Sequence, residues 1–175
     1  MRLPPSRSLR WVQLSKRWIE HADAVAAMTR SASAALLEAG APQVGERWLD
    51  LAGGAGDPSR ALAQAAGAAG LVLASDGVPA MVEACVERSA EDVPGPRGLV
   101  LRPEQLALAD ACLDGVSCRF GAMFFDDLAR ALTETRRVLR PGGRLAWLVW
   151  GQREANPYFT AAMAALDAVG AAPLA

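Results

Sequence analysis

The chain has 175 residues, the size of one domain able to bury roughly 70% of its unfolded surface, with 18 basic against 19 acidic side chains and a net charge of -1. That balance gives no electrostatic grip on a phosphate backbone or an anionic membrane, so nucleic acid is not an expected partner. Cys85, Cys112 and Cys118 are odd in number and lack metal-ligand spacing, which argues against a disulfide framework or a metal site and for a reducing, cytoplasmic setting.

Residues 1 to 18 hold five basic side chains and no acid, but no apolar stretch of signal-peptide length, and no apolar run anywhere reaches the roughly 18 residues of a membrane span. Residues 11 to 39, without Gly or Pro, predict two helices that break between residues 29 and 33. Up to residue 45 they form an N-terminal helical segment expected to pack over a site in the core that occupies residues 46 to 175. A first strand is predicted over residues 47 to 52, stopping at Gly53. Pro58 suits the first turn of a helix that runs to Gly67.

Residues 71 to 74 form a second predicted strand, ending at Ser75 and Asp76. Pro79 opens another helix, with Met81 and Cys85 one turn apart. Residues 98 to 101 and 115 to 120 read as the third and fourth strands. Asp126 or Asp127 can cap a helix in which Leu128, Leu132, Thr135 and Leu139 recur at helical spacing, and Arg140, Pro141, Gly142 and Gly143 are expected to end it. A fifth strand over residues 144 to 150 and a helix over residues 159 to 169 complete the chain. Strict alternation predicts an α/β fold, Rossmann-like and doubly wound, with helices on both faces of a mostly parallel sheet of order 3-2-1-4-5 and ligands at the carboxyl ends of the strands.

Residues 49 to 56 put a strand, the acid Asp50 and the small-residue loop Ala52, Gly53, Gly54, Ala55, Gly56 directly before a helix, which lets a ligand approach backbone N–H groups and the positive helix end. Asp76 follows Gly56 by twenty residues at the end of the next strand, where a carboxylate can accept both hydroxyls of a ribose. A lone glycine turn is often only a tight turn, and a lone Asp before Pro79 only a helix cap; the two together point to a nucleoside-containing ligand.

Residues 49 to 57 (LDLAGGAGD), 75 to 81 (SDGVPAM) and 139 to 143 (LRPGG) resemble the motifs of class I S-adenosylmethionine-dependent methyltransferases, above all the ubiquinone and menaquinone biosynthesis C-methyltransferases and their relatives. Residues 118 to 125 (CRFGAMFF) and 150 to 159 (WGQREANPYF) add to the resemblance. It implies S-adenosylmethionine as cofactor and a small, apolar or quinone-like acceptor methylated at carbon or oxygen. It also implies cofactor contacts from Asp50, Ala52, Gly53, Gly54 and Gly56 around the methionine part, Asp76 on the ribose with Gly77 and Met81 beside it, and Arg119 and Phe120 near the transferred methyl. Such transfer depends mainly on positioning, so no universal catalytic residue is required. His21, the only imidazole, is a candidate base, against the blander reading of a surface histidine. Trp11, Trp18, Met28, Phe124 and Phe125 are candidate acceptor contacts, against the commoner role of such residues as core.

Two departures bear on activity. Arg102 stands where the family places an Asp that accepts from the adenine amino group, which an arginine cannot do, unless Glu104 or Gln105 substitutes. The family's last two strands have no counterpart after residue 150, which would leave the fifth strand as an apolar edge open to self-association. A non-catalytic remnant is therefore the alternative reading. A nicotinamide-dependent oxidoreductase fits less well, since its fingerprint wants a third glycine where Ser59 stands.

Overall fold

A computed structural model of the chain describes residues 7–92 and 94–170. Three helices open it: α1 (Arg7–Glu20), α2 (Ala22–Met28) and α3 (Arg30–Gly40). Strands and helices then follow as β1 (Arg47–Leu51), α4 (Asp57–Ala66), β2 (Leu71–Asp76), α5 (Pro79–Arg88), β3 (Arg97–Val100), β4 (Leu113–Arg119), α6 (Leu128–Val138), β5 (Leu139–Leu148) and α7 (Pro157–Ala168). All strand pairs are parallel, in the order β3-β2-β1-β4-β5. This is the order expected from the sequence. No helix among the described residues is long and apolar enough to cross a membrane.

Side-chain alternation along the strands builds two cores. Trp48 on β1 and Val72 on β2 face Leu37 of α3 and Leu62, Ala63 and Ala66 of α4. Leu49, Leu51, Val116 and Cys118 face the other way, onto Ala131 and Val138 of α6 and onto Leu106 and Phe125. Gly115 is required for this packing, because a Cβ there would lie 2.4 Å from the Trp48 ring. Gly98 on β3 likewise admits Val82 and Val86 of α5, which places α5 on the same face as α3 and α4.

Local signals set most boundaries. Pro58 and Pro79 occupy the first turns of α4 and α5, where a missing N–H costs nothing. Asp127, not Asp126, caps α6, its carboxylate accepting from the Arg130 N–H at 2.9 Å.

Three features differ from expectation. The N-terminal segment is three helices, because the chain breaks at His21 as well as at Thr29. The Arg140-Pro141-Gly142-Gly143 segment does not end α6; it lies inside β5, where Leu113 pairs with Leu139 but Gly115 pairs with Arg144, so a bulge absorbs the extra residues. Finally, residues 101–112, linking β3 to β4, carry no helix. They are strapped to α6 instead: Arg137 donates to the Leu106 and Leu108 carbonyls at 2.7 and 2.8 Å, and the Glu134 carboxylate accepts from the Leu106 N–H at 2.8 Å. The Arg137 guanidinium holds the Glu134 carboxyl down at about 2.

Candidate functional site

The chain runs from β1 outward to β2 and β3, then returns to the opposite side of β1 for β4 and β5, so β1 and β4 flank the point where the winding reverses. Both leave the sheet through a non-glycine residue in left-handed conformation, Ala52 (φ 53°) after β1 and Phe120 (φ 58°) after β4. Such backbone is costly for residues with a Cβ and marks a segment held in place by its surroundings. Gly53 and Gly56 are required by close approach: a Cβ on Gly53 would lie 2.9 Å from the Asp50 carboxylate and from Ser59 Oγ, and one on Gly56 2.5 Å from Cys85 Sγ.

Asp76, ending β2, joins this loop directly. Its Oδ2 accepts the Gly54 N–H at 3.1 Å and its Oδ1 the Val78 N–H at 2.9 Å, so the two features separated by twenty residues in sequence form one unit. Burial raises the Asp76 pKa, while the N–H donors of Val78, Gly54 and Gly77 oppose that shift. Each carboxylate oxygen retains a lone pair for a further donor.

Asp50 lies elsewhere. Alternation along β1 turns it to the α3–α4 side with none of its surface exposed, and its oxygens accept from Ser59 Oγ at 2.6 Å and Ser117 Oγ at 2.7 Å. It braces the glycine loop from beneath and does not line the cavity above it.

That cavity encloses about 520 Å³, within the range of sites for drug-sized ligands, and spans the carboxyl ends of β1, β2, β3 and β4. Ala52, Gly54, Asp76, Gly77, Met81, Arg119 and Phe120, all expected at the site, line it; Gly53 and Gly56 lie in the loop outside it. Val78, Met81 and Leu101 give an apolar wall next to Asp76. Trp11, Trp18, Met28, Phe124 and Phe125 also reach it, so these residues serve both packing and lining. Trp11 meets Trp18 and Phe124 edge-on at 5.2 and 5.1 Å, while Phe120 stacks on Trp150 at 4.3 Å, which in turn meets Phe159. Two aromatic clusters thus line the cavity. Trp150 and Phe159 open and close the 150 to 159 motif, whose sequence alone does not show that its two ends meet.

Arg102 does reach the cavity, but it is turned to carboxylates of its own, Asp126 at 2.9 Å and Glu104 at 3.7 Å. Glu104 lines the cavity as well, its Oε1 accepting from the Asp126 N–H; Gln105 is exposed and does not. His21 stands exposed at the α1–α2 junction and lines no part of the cavity.

Arg119 is the buried cation of the site, with 9% of its side chain exposed. Its Nη1 donates to Thr29 Oγ1, Ser33 Oγ and Asp57 Oδ2, each at 2.6 Å, tying β4 to the α2–α3 junction and to the start of α4. Thr29 and Ser33 carried no functional signal in the sequence and Asp57 only its place at the end of the 49 to 57 motif, since residues so far apart meet only in the fold.

Residues 49–147 match the family model for a methyltransferase domain. The chain is 40% identical over 129 residues to the ubiquinone/menaquinone biosynthesis C-methyltransferase UbiE of Acidiphilium cryptum, a match covering 70% of this chain and 51% of that protein. It is 33% identical over 123 residues to the 2-phytyl-1,4-naphtoquinone methyltransferase of Nostoc punctiforme, covering 69% and 53%. The chain therefore spans about half the length of the curated relatives it matches. Among solved structures, a SAM dependent methyltransferase from Aquifex aeolicus superposes with a TM-score of 0.65 at 22% identity, over 79% of this chain and 78% of that one. A protein of Methanococcus maripaludis superposes with a TM-score of 0.70 at 18% identity, over 96% and 76%.

Proposed function

The chain belongs to the methyltransferase-domain family, and from that membership we propose that it binds S-adenosylmethionine and serves methyl transfer to a small, apolar, quinone-like acceptor at carbon or oxygen. The observation that carries this reading is the Asp76 carboxylate, bonded to the glycine loop and set in the wall of the 520 Å³ cavity. The residues fit such a cofactor: Asp76 has lone pairs for two ribose hydroxyls, and Val78, Met81 and Leu101 offer an apolar wall for a base. Phe120, Trp11 and Trp18 bring aromatic rings to the cavity, a chemistry suited to a sulfonium cation. When bound, the cofactor supplies an activated methyl group to an in-line nucleophile.

The chain's own part is to position and to dry. The glycine loop and Asp76 fix the nucleoside end, and the aromatic walls exclude water and offer flat apolar surface to an acceptor. Relatives named for quinone methylation support the acceptor class. The exposed Leu145 on β5 supports self-association through that strand. The free thiols of Cys85, Cys112 and Cys118 support a cytoplasmic location, which cell fractionation checks.

Calorimetric titration of the 175-residue chain with S-adenosylmethionine, with NAD as control ligand, tests the reading. We expect saturable binding that weakens more than tenfold in Asp76→Ala, since hydrogen bonds to a charged acceptor are worth about 1.5–3 kcal/mol. No binding by a folded chain, or a preference for NAD, overturns it. The oxidoreductase alternative is disfavoured because Ser59 stands where the dinucleotide fingerprint's third glycine lets helix and strand pack closely, and its buried hydroxyl is instead given to Asp50. The Arg102 guanidinium at the cavity favours a second reading, a domain that binds without catalysing; methyl transfer measured at saturating cofactor refutes it.

A further inference from the structure

Several apolar side chains that line the large cavity also face water. Val12 and Trp18 on α1, Met28 at the end of α2 and Phe124 after β4 border it, yet each is between 37% and 58% exposed. Leu14, also on α1, adds a fifth exposed apolar side chain. Single exposed apolar residues need no explanation, but four of these share one cavity, and a grouped apolar patch marks a surface that meets something apolar.

α1 also carries a local charge that the near-neutral chain conceals. Its fourteen residues hold Arg7, Arg10, Lys16 and Arg17 against a single acid, Glu20. The net charge of -1 averages over that excess, so the expectation that the chain has no grip on an anionic surface fails for this helix. Helical spacing sets two of the cations beside the apolar residues: Lys16 stands one turn from Val12 and Arg17 one turn from Leu14, and both are exposed. No ion pair holds Lys16 or Arg17 among the described residues. Two carboxylates that also line the cavity, Glu104 and Asp126, are already met by Arg102.

We propose that this face docks reversibly on the surface of an anionic lipid bilayer. Val12, Leu14, Trp18, Met28 and Phe124 enter the boundary between headgroups and acyl chains, while Lys16 and Arg17 lie against lipid phosphates. Tryptophan, apolar side chains and long basic ones on one helix suit that boundary, because the basic stems pack on apolar surface and their charged ends reach the headgroups. Charge selects this occupant over a second copy, since a two-fold contact through α1 would set its cations against themselves. The use of the contact rests on the apolar-acceptor reading above: a cavity bordered by lipid takes in an apolar acceptor without carrying it through water. The contact itself does not depend on that reading.

Co-sedimentation of the 175-residue chain with vesicles tests it, using phosphatidylcholine alone and phosphatidylcholine mixed equally with phosphatidylglycerol. The wild type is expected to partition about tenfold or more strongly to the mixed vesicles and to lose that margin in high salt. Lys16→Glu combined with Arg17→Glu is expected to abolish the margin, and Leu14→Ser to weaken binding to both vesicles about fivefold. Neither change should move the thermal midpoint or the S-adenosylmethionine titration. Brominated lipid in the mixed vesicles is expected to quench tryptophan fluorescence, which a contact with headgroup charge alone does not do. No co-sedimentation, a margin retained in the double variant, or no quenching overturns the proposal. A doubled mass in solution that Leu14→Ser returns to that of one chain gives the face to a second copy and overturns it as well. Vesicle binding by a chain that does not bind S-adenosylmethionine supports the contact and removes the functional reading, so the two failures are distinguishable.

Discussion

Asp50 is a carboxylate in the sheet interior, and its environment decides what it can do. Burial pushes its pKa up to about 6, against the lowering effect of the Ser59 and Ser117 hydroxyls and of the Arg119 charge. The folded protein thus holds this proton more tightly than the unfolded chain, whose carboxyl titrates near 4. Stability contributed by the group is present in full below about pH 4, declines as pH rises to about 6, and is gone above that. Asp50→Asn, which has no proton to lose, is expected to show a flatter dependence of unfolding free energy on pH between 4 and 6, the wild type losing roughly 3 kcal/mol more across that window. Urea denaturation at half-unit pH steps measures it; identical slopes for the two chains would sink the idea.

Two helices and the sheet meet at one side chain beside the site. Arg119 reaches Thr29 and Ser33 at the α2–α3 junction, and Asp57 at α4, so β4, α3 and α4 share a single guanidinium. Arg119→Met keeps much of the volume but strands a partly buried Asp57, and we expect a loss of about 2–3 kcal/mol in stability, less than a wholly buried pair would cost because Asp57 is 32% exposed. Trp11 and Trp18 on α1, which line the cavity, should shift in fluorescence as the α2–α3 junction loosens; an unchanged midpoint and spectrum would count against the role. None of this was legible in the sequence, because it depends on pairs 62 to 90 residues apart. What was legible had local causes. Pro58 and Pro79 marked helix starts, and Gly53 and Gly56 marked a loop packed too tightly for any Cβ. The Pro141-Gly142-Gly143 segment misled for the complementary reason: by itself it reads as a turn, but pairing of β5 with β4 on either side turns it into a bulge. The direction of Asp50 was available from the two-residue alternation of β1, which puts it on the same side as Trp48, toward α3 and α4.

At the scale of the whole molecule, the five-stranded sheet ends in two unlike edges. β3 is four residues long and covered by α5, whereas β5 runs for ten residues and pairs only with β4 among the described residues. The devices that blunt an edge, a proline and a bulge, both fall in the first half of β5; from Leu145 to Leu148 the outer backbone groups carry no such protection, and Leu145 is 45% exposed. A second copy is the partner with a matching strand: two β5 edges related by a two-fold axis would run antiparallel and continue one sheet through both molecules. Light scattering over a wide concentration range is expected to show the mass rising toward twice that of the chain, and Leu145→Lys, which sets a charge beside the edge, to return it to the single-chain value. A wild-type chain that stays at the single-chain mass throughout would leave this edge without the proposed role, whereas dimerisation unaffected by Leu145→Lys would move the contact to another surface.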